Sequence, residues 1–165
     1  MCGICGFIGN DQIQLKDLQN EIINRGPDKQ STFSYENINL AVTRLSIRDI
    51  EKGDQPFVDR EKSMVAALNG EIYNYGYLRK KLESKGHKFK THCDTELLIP
   101  GFYYFNKEFF NMINGMFALI IIDLRAKKIF IARDRFGIKP LFYCKLKNSF
   151  IYSSSAKSIY KNNYF

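Results

Sequence analysis

Residues 3–9 are apolar, short and bounded by glycine, which predicts a strand closing in a turn at Asn10-Asp11. Leu15, Leu18, Ile22 and Ile23 then fall at helical spacing, and Gly26-Pro27 must end that helix before the Arg25-Gly-Pro-Asp28 run. Two strands are predicted near residues 32–35 and 40–47, and a third over 64–68, closing on Asn69-Gly70. Residues 75–84 place Tyr75, Leu78 and Leu82 on one face with Arg79, Lys80, Lys81 and Glu83 elsewhere, the pattern of an amphipathic helix, and Gly86 ends it. Asp94 reads as the N-cap of a further helix, which Pro100-Gly101 should kink or interrupt. Four strands follow, at 117–122, 128–132, 140–145 and 150–153, with tight polar connections that predict an antiparallel meander. The near-continuous apolar run at 117–122 implies a sheet buried on both faces. Strands, then two helices, then strands again argue for an α+β fold in layers.

Composition narrows this little. The 165 residues fit one domain that can bury its own core, and 45% hydrophobic content excludes disorder. The net charge of +8 invites a nucleic-acid reading, but the lysines are scattered along helix faces and turn tips, so no nucleic-acid partner is expected. The longest apolar run, 116–122, is far short of the ~20 residues that span a bilayer, and the amino terminus lacks a secretory pattern. A soluble cytoplasmic protein with its four cysteines reduced is expected, with no membrane association.

Cys2 carries the most chemical information. Once Met1 is removed, one residue holds both a thiol and an α-amine, and an α-amine titrates at about 7.7–8.0, low enough to act as a base. A nucleophile and its base then share a residue. The alternative is a buried small hydrophobe. Cys2 and Cys5 also have CxxC spacing, but Cys93, Cys144, His87 and His92 complete no standard zinc set, and the glycine-rich context does not fit a redox motif. No metal site is expected. Asn69-Gly70 has two readings. It is either a hairpin turn or a pair of donors, one side-chain and one backbone, aimed at a developing oxyanion. Arg44 stands in an apolar strand and needs either a protein acid or a ligand carboxylate. Asp94 can cap a helix and hold a ligand ammonium together.

Taken together, Met1-Cys-Gly-Ile-Cys-Gly-Phe7, Arg25-Gly-Pro-Asp28, Arg44-Leu-Ser-Ile47, Gln55-Pro-Phe57, Asn69-Gly-Glu-Ile-Tyr-Asn74, Leu78-Arg79, Asp94-Thr-Glu96, Asn114-Gly-Met-Phe-Ala118 and Arg133-Asp-Arg-Phe-Gly-Ile-Lys-Pro-Leu-Phe-Tyr143 resemble class II glutamine amidotransferases. The branch they resemble is the glutaminase domain of the glutamine-hydrolysing asparagine synthetases. The resemblance implies a four-layer αββα sandwich of the N-terminal-nucleophile hydrolase type. It implies that Cys2 attacks the side-chain amide of L-glutamine, with its own α-amine moving the proton. Asn69 and Gly70 would form the oxyanion hole. Arg44, with backbone groups near Leu45 and Ile47, would bind the α-carboxylate. Glu71 and Asp94 would hold the α-ammonium.

The chain departs from the family's pattern at several positions. Asn24 stands where the family has His, Ala41-Val-Thr43 precedes Arg44 in place of Gly-His-Arg, and Cys93 replaces a Ser. Ala156 falls where a Glu is usual, and Pro100 lies in what is normally uninterrupted helix. None removes a residue of the implied mechanism. No Ser-Gly-Gly-x-Asp-Ser phosphate loop is present, so the expectation is one glutaminase domain over 1–165, slightly truncated, with the synthetase domain absent. An ATP-dependent synthetase domain or subunit is the expected partner. No cofactor is expected in this chain, ATP and magnesium belonging to that partner. Two other readings stay open, a non-catalytic module that kept the fold and an amidotransferase serving a different acceptor.

Overall fold

A computed structural model of the chain describes residues 1–59, 61 and 63–161; positions 60, 62 and 162–165 of the expected domain lie outside them. The chain divides into two units, residues 1–46 with 139–165, and residues 47–138.

The first unit is a five-stranded antiparallel sheet in the order β2-β3-β1-β9-β8, built from β1 (Gly3–Gly9), β2 (Lys29–Tyr35), β3 (Ile38–Arg44), β8 (Phe142–Lys145) and β9 (Ser149–Ser153). Helices α1 (Leu15–Asn20) and α5 (Ala156–Tyr160) pack on one face, where Cys5, Phe7, Leu18, Ile22, Ala41, Ile151 and Ile159 form one apolar cluster. The predicted first helix is shorter than its apolar spacing suggested. After Asn20 the chain tightens into a 3-10 turn at Ile23–Arg25 before Gly26-Pro27 ends it.

The second unit is a four-stranded sheet in the order β4-β5-β6-β7, from β4 (Phe57–Val58), β5 (Met64–Ile72), β6 (Gly115–Asp123) and β7 (Lys128–Arg133). Helices α2 (Tyr75–Glu83), α3 (Leu98–Phe105) and α4 (Glu108–Met112) bury Leu78, Leu82, Leu98, Phe102 and Phe109 against Met64, Ala66, Leu68, Leu119 and Ile121 of its sheet. Alternation along β5 sends Val65, Ala67 and Asn69 to the opposite face. Residues 117–122 are buried throughout, as their unbroken apolar run required.

The α+β class holds, with four corrections. The last four strands are not one meander: β6 and β7 pair in the second unit's sheet, β8 and β9 in the first unit's. The segment between β7 and β8 is no tight turn, because Asp134 draws Phe136 N–H (3.1 Å) and Ile138 N–H (2.9 Å) onto one carboxylate oxygen. The strand expected over 40–47 ends at Arg44. Pro100 does not break its helix. It is the third residue of α3, in the first turn, where a missing N–H costs little, and the preceding segment Asp94–Leu97 is a 3-10 turn.

Candidate active site

In the first unit the amino-terminal segment is fixed by the loop that ends the first helical region. Gly26 lets that loop lie against β3, since a Cβ there would stand 2.3 Å from the Thr43 carbonyl oxygen. From this loop Arg25 Nε donates to the Cys2 carbonyl (3.2 Å), while Asp28 N–H donates to the Arg44 carbonyl (3.1 Å) and its carboxylate accepts Ser46 N–H (2.7 Å). The end of β3 is thereby held against Cys2. Leu45 N–H lies 3.5 Å from the Cys2 Sγ, and the thiol lies 3.7 Å from the Leu45 carbonyl. The Cys2 side chain is half-buried, and Met1 is exposed. Burial pulls the Arg25 guanidinium below its usual value, an effect the adjacent Cys2 opposes, and its Nη2 is buried without a hydrogen-bond partner.

In the second unit Asn69-Gly70 is not a hairpin turn. β5 runs through it to Ile72, paired with β6 in the register Asn69↔Ala118 and Gly70↔Phe117. Phe117 exchanges both its backbone bonds with Asp134, at 2.8 Å and 3.2 Å, so it turns its polar groups away from β5. Antiparallel alternation therefore aims Gly70 N–H at the other edge of β5. β4 covers that edge only as far as Ala66. Beyond it, side chains take the N–H groups on either side of Gly70: Gln55 Oε1 accepts from Leu68 (2.7 Å) and Asp94 Oδ2 from Ile72 (2.7 Å). Gly70 N–H points between these two anchors. Beside it, the Asn69 side chain is 0% exposed, and neither its oxygen nor its nitrogen has a hydrogen-bond partner. A buried amide without partners marks a place for a polar ligand group.

Asp94 is 5% exposed and does not cap a helix; the expected N-cap position is held by Cys93 instead. Its second oxygen pairs with Arg48, whose guanidinium lies 4.8 Å over the Tyr75 ring. Burial raises the Asp94 carboxyl above the usual carboxylate range, with the Ile72 N–H and Arg48 pulling the other way and the negative charge of Glu71 adding to the rise.

The sequence profile of the glutamine amidotransferase domain matches residues 1–165. The chain belongs to this family. Asparagine synthetase [glutamine-hydrolyzing] 1 of Bacillus subtilis (strain 168) is 37% identical to the amidotransferase chain over 167 residues, covering 94% of it and 26% of the relative. Asparagine synthetase [glutamine-hydrolyzing] 2 of Arabidopsis thaliana is 40% identical over 148 residues, 86% of the chain and 25% of the relative. The chain thus spans about a quarter of these relatives' length. Among solved structures, glutamine phosphoribosylpyrophosphate amidotransferase from B. subtilis, complexed with ADP and GMP, superposes with a TM-score of 0.79 at 18% identity, over 96% of this chain and 43% of that one, a likeness of fold.

Within the amidotransferase domain the expected residues fall into two local groups. Cys2, Arg44 and Leu45 are held together in the first unit, and Arg44 is buried at the end of β3. Asn69, Gly70 and Glu71 lie on β5 of the second unit, tied to Asp94 through Ile72. Ile47 is 77% exposed, past the end of β3. Sequence reasoning passed over Arg25, Arg48 and Gln55. Arg25 and Gln55 stand inside quoted motifs, and Arg48 directly follows one, so position was the available signal. Glu96 is a loop clamp: its carboxylate accepts Lys90 N–H (2.9 Å), Thr91 N–H (2.7 Å) and the Thr91 hydroxyl (2.6 Å). All four cysteines are free, and among the described residues no helix is long and apolar enough to cross a membrane.

Proposed function

We propose that the domain hydrolyses L-glutamine to glutamate and ammonia, with Cys2 as nucleophile. The observation that carries this reading is the pair on β5: a backbone N–H at Gly70 aimed at an uncovered strand edge, next to the Asn69 amide, buried and unpaired. Two such donors suit the oxygen of a tetrahedral intermediate, and they cost no reorganisation when charge develops there.

The steps follow from ordinary acyl-transfer chemistry. After Met1 is removed, the Cys2 α-amine takes the thiol proton and the sulfur attacks the side-chain amide carbon of glutamine. The oxyanion takes hydrogen bonds from Asn69 Nδ2 and Gly70 N–H. Collapse breaks the C–N bond, the α-ammonium gives its proton to the departing nitrogen, and ammonia leaves a thioester on Cys2. Water, deprotonated by the same amine, then releases glutamate. Arg44, with the main chain at Leu45 and Ile47, binds the substrate carboxylate, and Glu71 and Asp94 bind its ammonium.

We further propose that the ammonia serves an ATP-dependent amide transfer of the asparagine-synthetase type, in the cytoplasm, by a synthetase segment that would bring its own ATP and magnesium. The test is glutaminase activity of the purified chain with its amino terminus read by intact-mass measurement. Processed protein should release glutamate and ammonia in equal amounts, and Cys2→Ala should lose turnover by about 10³-fold or more while staying folded. Full turnover by Cys2→Ala, or by chain that retains Met1, overturns the mechanism.

A further inference from the structure

We propose that Arg48 is a built-in competitor for the substrate's ammonium group: it occupies the Asp94 carboxylate and must be displaced when glutamine binds. The inference rests on the proposed glutaminase reading and concerns its specificity for substrate.

Asp94 is buried, so its carboxylate has few approaches. One oxygen takes the Ile72 N–H from inside the unit, and the other is met by the Arg48 guanidinium. Arg48 comes from the solvent side: its side chain is 45% exposed, against 6% for that of Asp94. It rests on the Tyr75 ring at 4.8 Å, so the cation is held over the carboxylate by a stacking surface as well as by charge. Burial opposes the charge on the guanidinium, while Asp94 and, less strongly, Glu71 favour it; these are the two carboxylates expected to share the substrate's ammonium. An arriving α-ammonium replaces a guanidinium rather than filling an open site, and apparent affinity falls by the fraction of molecules in which Arg48 is engaged.

This arrangement also selects among ligands. A glutamine analogue that lacks the α-amine cannot replace the guanidinium and leaves Arg48 in place. An anion with no ammonium then gains nothing from loss of the arginine.

The test is glutamine affinity by calorimetry in the non-hydrolysing Cys2→Ala background, with Arg48 intact or changed to Gln or Lys. Arg48→Gln should tighten glutamine binding about 3- to 10-fold, and Arg48→Lys should stay close to the parent, since it keeps a cation. In hydrolysing protein the same change should appear as a lower KM rather than a changed kcat. Binding of 4-carbamoylbutanoate, which lacks the α-amine, should not respond. Unchanged or weaker glutamine binding in Arg48→Gln, with the fold intact by thermal melt, overturns the inference and leaves the glutaminase reading standing. Failure of glutamine to bind any of these proteins overturns the reading itself.

Discussion

Asn69 holds an amide where folding alone would place an apolar group. Its neighbours on the same face of β5, Val65 and Ala67, are apolar and fully buried, and it is buried with them, yet neither of its polar atoms is satisfied. Each unsatisfied buried polar group costs about 1–3 kcal/mol. A residue that weakens the fold and is kept anyway is a candidate for chemistry. Asn69→Leu, close in size and without polar atoms, should therefore stabilise the domain by about 1–3 kcal/mol in urea unfolding and lower kcat by roughly 10²–10³. A variant that is both destabilised and fully active would show that the amide is structural. The sequence alone left this position divided between a turn and an oxyanion donor. Asn-Gly is the strongest short hairpin signal, and one chain offers no local cue against it. What decides is register: β6 supplies partners as far as Ile72, so the strand does not stop at Gly70.

At the scale of elements, most strands and helices were legible because their apolar periodicity is strong. The strand over 3–9 and the helix beginning at Tyr75 appear where the pattern put them. Two misreadings fall where a side chain replaces a backbone partner. Asp134 organises the segment after β7, Asp94 anchors the end of β5, and neither contact leaves a trace in hydrophobic spacing. Gly70 shows the same limit. Read locally, glycine in a strand is a weakness. In the sheet it is required, because a Cβ there would stand 2.0 Å from the Met116 carbonyl oxygen and 2.7 Å from the Phe117 Cα, and its φ of +155° is one that side chains rarely adopt. Both obstacles are backbone atoms of β6 and cannot swing aside. Gly70→Ala should force β5 and β6 apart locally, costing about 2 kcal/mol or more and lowering the midpoint of thermal unfolding together with activity. Unchanged stability would mean that β5 can shift its register without penalty.

For the molecule as a whole, one carboxylate in each of the two units shows the two opposite signs of titration. In the first, Glu21 meets Lys161 (2.5 Å) and Lys157 (3.2 Å), and these ammonium groups lower its carboxyl below the usual range. A lowered acid contributes stability above its unfolded value and loses it as pH falls through the folded one. In the second unit burial raises Asp94, so the reverse holds. Its contribution is fully present below the unfolded carboxylate value and is lost as pH rises through the raised folded one, which leaves a net cost at neutral pH. The sequence could not assign that sign, because Asp94 as a helix cap would have been lowered and Asp94 as a buried anchor is raised. Asp94→Asn removes the ionisation while its amide oxygen can still accept the Ile72 N–H. The variant should be at least as stable as the parent at pH 7, and its advantage should shrink toward pH 4 as the parent's own carboxyl takes up a proton. Its glutamine binding should meanwhile be weaker across the range, since no charge remains at position 94 to meet an ammonium. Urea unfolding of the pair at several pH values measures the first effect and calorimetry the second. A parent that outlasts the variant at pH 7 by a margin that fades toward acid would mean that the ion pair with Arg48, and not burial, sets the balance at this carboxylate.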